Sequence, residues 1–265
     1  MTKCIPLWDG DIPAFCPEAD TPNNMTAYLL DTPAPVPAVI VFPGGAYAHR
    51  AYHEGEPVAQ FYNRCGFQAF VVDYRVAPNR APAPLADAKR AIRLVRANAA
   101  AWGVDPERVF VCGFSAGGNL AACTAVLPDD PTVKDDLSAI SSKPTGAVLC
   151  YPVISGLEQD GHSYSHHMLL DDRYEKEVEH YSLQLQVDEH TAPCFLWHTA
   201  EDNGVPVRHS LMMANALRTH GIPFELHVFP HGGHGLGLSD PADKEHYVPG
   251  VNRWAELSAE WIRTF

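Results

Sequence analysis

Positive charge, paired cysteine motifs and long apolar runs are all scarce in this 265-residue chain. Its 19 Lys and Arg residues face 32 Asp and Glu, and the resulting net charge of -13 would repel a phosphate backbone or an anionic leaflet. Neither nucleic acid nor a membrane surface is therefore an expected partner. No stretch approaches the roughly 18 consecutive apolar residues of a membrane-crossing helix. The opening "MTKCIPLWDGDIPAFCPEAD" has no apolar segment behind a basic start, so a secretory leader is not expected either. Seven cysteines, Cys4, Cys16, Cys65, Cys112, Cys123, Cys150 and Cys194, are odd in number, scattered and free of any C-x-x-C pair. That excludes a disulfide framework and a zinc knuckle. It makes Cys112, Cys150 and Cys194, each in a strand-like run, small buried hydrophobes, and a reducing cytoplasm the expected location.

What the chain does have is 46% hydrophobic residues, enough at this length for a single domain over residues 1–265 with one core. Short β-branched runs recur: Ala38 to Phe42, Phe67 to Tyr74, Arg108 to Phe114, Thr145 to Val153, Pro193 to Ala200 and Phe224 to Pro230. Several are continuous rather than alternating, as expected of strands covered on both faces. Helical patterns separate them. The clearest places Leu85, Ala88, Ile92, Val95, Ala99 and Trp102 on one stripe and stops at Gly103, a plausible C-terminal cap. This alternation predicts an α/β fold with a mostly parallel, doubly wound sheet flanked by helices, whose active edge is the carboxyl end of the strands. The early segments "MTKCIPLW" and "MTAYLLD" add possible edge strands. Residues 154–191 are polar and His-rich without a clear strand, and read as a cap-like insertion over the sheet edge.

The chemistry centres on "VFVCGFSAGGNLAA", residues 109–122. A G-x-S-x-G pattern by itself is weak, but here it joins a strand to a helix, the setting a nucleophile elbow requires. Such a turn forces Ser115 into a left-handed backbone and brings strand and helix so close that Gly113 and Gly117 leave no room for side chains. Serine needs a base, and the base an orienting carboxylate. His234, in "FPHGGHGLGL" after the last predicted strand, is the expected base, with His231 its rival. Asp202, in "PCFLWHTAEDNGVPV" after the preceding strand, is the expected acid, with Glu201 its rival. Donors for an oxyanion are expected from the amide of Ala116 and from "FPGGAY", where Gly44 and Gly45 let the backbone approach a substrate.

These residues resemble the α/β-hydrolase superfamily, and within it the acetyl esterase and acetyl-xylan-esterase-like branch related to hormone-sensitive-lipase-like esterases. The resemblance runs through "AVIVFPGGAYAHR", "GFQAFVVDYRVAP", the segment around Ser115 and "LWHTAEDNGVPVRHSLMMANALRTHGIPFELHVFPHGGHGLGL", most of the chain beyond residue 35. It implies the α/β-hydrolase fold, a serine esterase using Ser115, Asp202 and His234, and an oxyanion loop at Gly44 and Gly45. Where lipase-like relatives have a histidine before the glycines and often a third glycine, this chain has Pro43 and Ala46.

Beyond the loop, "AYAHRAYHEGEPVA" gathers Tyr47, Arg50, His53 and Glu54, polar groups suited to sugar hydroxyls. A solvated loop would look the same. The expected substrate is a small ester with a short acyl group, acetyl first, on a carbohydrate. His162, His166 and His167 match no tight ligand spacing, and the serine chemistry needs no metal or cofactor. Two other functions stay open: an amide hydrolase or peptidase with the same residues, and a binding protein on the same scaffold.

Overall fold

The apolar runs form strands because their side chains are buried on both faces of one sheet. In the computed structural model, which describes residues 2–19 and 23–265, the sheet contains β1 (Thr2–Pro6), β2 (Asn24–Tyr28), β3 (Val36–Phe42) and β4 (Gln68–Asp73). It continues with β5 (Val104–Phe114), β6 (Gly146–Cys150), β7 (Cys194–Thr199) and β8 (Phe224–Phe229). Among the described residues the order is β1-β2-β4-β3-β5-β6-β7-β8. β1 pairs antiparallel with β2 and β2 with β4, whereas every pairing from β4 to β8 is parallel. Both segments read as possible edge strands form strands, β1 at the edge and β2 one place in, between β1 and β4, although Met1 lies outside the described residues.

The described residues form eight α-helices: α1 (Glu56–Arg64), α2 (Ala83–Ala97), α3 (Ala99–Trp102), α4 (Ala116–Val126), α5 (Tyr164–Leu170), α6 (Tyr174–Glu177), α7 (Arg208–Thr219) and α8 (Arg253–Ile262). Alternate residues of β3 enter different cores. Ala38, Ile40 and Phe42 pack with Leu85, Ile92 and Val95 of α2, Leu120 of α4 and Met213 of α7, while Val39 and Val41 pack with Val58 and Tyr62 of α1 and Trp254 of α8. The helical stripe ending at Trp102 is broken at Asn98 into α2 and α3, and Gly103 caps it at φ 62°. α4 is buried at every position, which explains why its sequence is small and apolar all round. No described helix is long and apolar enough to cross a membrane.

Residues 154–191 contain only short helices, including α5 and α6. They are less solvated than their composition suggests, because Leu169, Leu170, Tyr174, Tyr181 and Leu183 reach into the α2–α4 core.

Candidate active site

At the carboxyl end of β5 the chain turns directly into α4, with Ser115 between them at φ 54° and ψ -117°. A non-glycine residue holds such a conformation only where the surroundings impose it. Here the Ser115 N–H donates to the Cys150 carbonyl at 3.0 Å, and its own carbonyl accepts the N–H groups of Asn119 and Val153, each at 3.0 Å. The close approach of strand and helix explains the flanking glycines. A Cβ on Gly113 would lie 2.0 Å from the Gly117 carbonyl oxygen, and one on Gly117 would lie 2.1 Å from that of Phe42.

The loops after β7 and β8 bring two further side chains to this serine. His234 Nε2 lies 2.8 Å from Ser115 Oγ, and His234 Nδ1 lies 2.7 Å from Asp202 Oδ2. A carboxylate can only accept, so Nδ1 carries the proton and Nε2 presents its lone pair to the serine hydroxyl. Asp202 Oδ1 accepts the N–H groups of Gly204 at 2.8 Å and Val205 at 2.9 Å. Burial by itself would raise the Asp202 pKa, but hydrogen bonds from His198 and His234, the His234 charge and the Val205 amide together bring it well below the ordinary carboxylate value. The rivals go elsewhere: His231 Nδ1 pairs with Glu201 at 2.9 Å on the surface, with side chains 75% and 58% exposed.

A family model, BD-FAE, matches residues 28–217. The chain belongs to the BD-FAE family. This family member is 40% identical over 226 residues to endo-1,4-beta-xylanase B of Butyrivibrio fibrisolvens, covering 82% of this chain and 35% of that protein. It is 31% identical over 225 residues to an acetylxylan esterase of Xylanibacter ruminicola, covering 83% of this chain and 45% of that protein. The chain therefore spans less than half the length of these two curated relatives. A solved structure of an acetyl ester-xyloside bifunctional hydrolase from Caldicellulosiruptor lactoaceticus superposes with a TM-score of 0.89 at 45% identity, covering 99% of this chain and 96% of that one. The fold is that of the α/β hydrolases, in the acetyl-xylan-esterase-like branch.

The glycine loop needs a correction. The Gly44 N–H donates to Glu54 Oε2 at 2.7 Å, so it is unavailable as an oxyanion donor. Gly44 is required for space instead: a Cβ there would meet Glu54 Oε2 at 2.7 Å, the Phe114 carbonyl at 2.8 Å and Ser115 Cβ at 3.1 Å. Among the described residues, the N–H groups of Gly45, Ala46 and Ala116 donate to no protein acceptor. Ala46 has φ 56°, a conformation that composition does not announce for an alanine.

Of the four polar residues beyond the loop, Tyr47 and Glu54 are buried and Arg50 and His53 are half-buried. Tyr47 is buried, with its hydroxyl donating to Asn119 Oδ1 at 2.8 Å, and Glu54 is 2% exposed. Arg50 Nη1 donates to the Tyr74 carbonyl at 2.8 Å and its Nε lies 3.4 Å from Asp73. His53 Nε2 sits 2.9 Å from the Gly235 carbonyl, and its ring stacks on His246 at 4.0 Å. Each of the four thus has a protein partner because the loop folds back on its own protein, which a linear reading cannot see.

Sequence reasoning also missed two supports. Tyr151, at φ 36°, sets its ring edge-on to His234 at 5.1 Å. His198 Nε2 bonds the Val205 carbonyl at 2.8 Å and lies 3.4 Å from Asp202 Oδ2. The only available signal was their position at the ends of β6 and β7. Nearby, His162 Nδ1 bonds the Gly204 carbonyl at 2.9 Å, linking residues 154–191 to the Asp202 loop. His166 is fully buried and His167 stacks on Tyr174, so the three histidines of that segment point different ways. A cavity of about 890 Å³ between Trp8, Leu85, Lys89 and the Pro128 to Asp136 segment includes none of the residues around Ser115 in its walls.

Proposed function

We propose that the chain is a serine carboxylesterase that removes short acyl groups, acetyl first, from carbohydrate esters such as acetylated xylo-oligosaccharides. The observation that carries this reading is the unbroken relay from Asp202 through His234 to the Ser115 hydroxyl, with links of 2.7 and 2.8 Å. His234 takes the Ser115 proton as Oγ attacks the ester carbonyl carbon. The tetrahedral oxyanion is met by the N–H groups of Gly45, Ala46 and Ala116, the donors left free beside the serine. Collapse breaks the bond to the alcohol, which leaves carrying the proton from His234, while the acyl group stays on Ser115. Water then repeats the sequence in reverse and frees the acid. The cycle calls for no metal or cofactor. Residues 154–191 form the cap of this single domain in our reading, supported by the His162 bond to the Gly204 carbonyl. The carbohydrate ester as substrate is supported by the likeness to the acetylxylan esterase and the acetyl ester-xyloside bifunctional hydrolase. A cytoplasmic location is supported by seven unpaired cysteines.

The test is a series of acyl esters run beside acetylated xylo-oligosaccharides, N-formyl amides and peptidyl amides, together with fluorophosphonate labelling. We expect acetyl esters to be turned over fastest and the label to sit on Ser115. Ser115→Ala should abolish both while leaving the fold intact, a loss of at least about 10³-fold in turnover. Preference for long acyl chains or for amides would overturn the substrate assignment, and no adduct on Ser115 would overturn the chemistry.

A further inference from the structure

Glu54 is an expensive residue to bury. It is 2% exposed, and its ion-pair partner among the described residues is His53 at 3.8 Å, with no Lys or Arg. A buried anion so weakly paired contributes little to stability compared with an apolar side chain of the same size. Its contacts point to another role. Oε2 accepts the Gly44 N–H at 2.7 Å, at the start of the loop that faces Ser115. Oε1 accepts the Tyr151 hydroxyl at 2.6 Å. That hydroxyl accepts the Gly237 N–H at 2.8 Å, three residues after His234, and the Tyr151 ring rests against the His234 imidazole.

We propose that Glu54 is a positioning residue, one carboxylate that clamps the oxyanion loop through Gly44 and the His234 loop through Tyr151 and Gly237, so that base and oxyanion donors hold one mutual geometry. The inference rests on the esterase reading. Both oxygens must be acceptors for the clamp to work. Burial and the Glu54 charge push the Tyr151 phenol well above its ordinary pKa, so it remains a donor. Gln cannot reproduce both contacts: turned one way its NH₂ faces the Gly44 N–H, donor to donor, and turned the other way it faces the Tyr151 hydroxyl, whose proton then has no acceptor.

The experiment compares wild type, Glu54→Gln and Tyr151→Phe by steady-state kinetics on p-nitrophenyl acetate, by the rate of fluorophosphonate labelling, and by amide hydrogen exchange. Glu54→Gln should lower kcat about 10- to 100-fold, the scale of an ångström-sized misplacement, with KM moved by less than about threefold. Labelling should slow in parallel, and exchange should speed at Gly44 or at Gly237, on whichever side the NH₂ comes to face. Tyr151→Phe should speed exchange at Gly237 and lower kcat in the same way, and it carries the test if Glu54→Gln fails to fold. Wild-type kcat in either folded variant, or a loss matched by the unfolded fraction with exchange at both glycines unchanged, would overturn the clamp. If wild type neither hydrolyses the ester nor takes the label, the esterase reading fails first. The exchange of Gly44 and Gly237 then decides whether the two loops are tied through Glu54.

Discussion

Two buried imidazoles, those of His209 and His166, should make the fold acid-labile, by an amount that follows from their burial. His209 Nδ1 accepts the N–H groups of Ile154 at 3.0 Å and Ser155 at 3.3 Å, so its proton sits on Nε2. A second proton would have to enter at Nδ1, facing two donors. His166 donates from Nε2 to the Tyr181 carbonyl at 2.9 Å, and its buried Nδ1 meets no partner among the described residues. Burial pushes the His166 pKa down to about 4. Burial, then the neighbouring His162, His198 and His166, push that of His209 down to about 3. The folded chain thus refuses protons that the unfolded chain accepts below its ordinary value of about 6.5. Stability contributed by the neutral rings is full above that value and is lost as pH falls, at a limiting slope of roughly 3 kcal/mol per pH unit for two groups. By about pH 4.5 the loss reaches about 5 kcal/mol, comparable to the whole stability of a marginal domain. His162, also lowered by burial, adds in the same direction. Asp202, held well below the ordinary range, gives up its contribution only in stronger acid. Guanidinium unfolding followed at a series of pH values measures the slope. Replacing His209 by Asn keeps an acceptor at the δ position, replacing His166 by Gln keeps a donor at the ε position, and the double variant should flatten the dependence. A wild-type stability that is level between about pH 6.5 and 4.5, or a slope untouched in the double variant, would refute the reasoning.

Asp202→Asn should lower kcat about 10⁴-fold while KM changes little. The Gly204 and Val205 amides both bond Oδ1, so the Asn oxygen stays there and its NH₂ faces His234 Nδ1. That moves the imidazole proton to Nε2 and leaves no lone pair for the serine; a turnover near wild type would show that the carboxylate does not orient the base. Gly117→Ala drives a methyl to 2.1 Å from the Phe42 carbonyl oxygen, a backbone atom that cannot swing away. It should cost at least about 3 kcal/mol and lower the melting temperature by roughly 6–12 °C, which calorimetry would read directly.

The amino-acid sequence alone determined those features in which a local pattern has one physical meaning. Continuous β-branched runs had to be covered on both faces, so the parallel sheet followed, and its register of loops placed Ser115, Asp202 and His234 at one edge in chain order. Gly113 and Gly117 were legible as space for a close approach, which the 2.0 and 2.1 Å clearances express. Choosing His234 over His231 and Asp202 over Glu201 was a weaker inference, because neighbours in a loop share the same local pattern; only the folded loops turn one pair inward and leave the other paired on the surface. Tertiary structure alone decided which polar groups around the serine are spoken for. Gly44 keeps no free N–H for a substrate because Glu54, ten residues on, folds back to take it. Tyr151 acquires its part from Glu54 and His234, far away in sequence, and His198 from the folding of the loop that follows it. Hydrogen-bond satisfaction is a property of the packed whole, and no spacing along the chain encodes which donor a buried acceptor will meet.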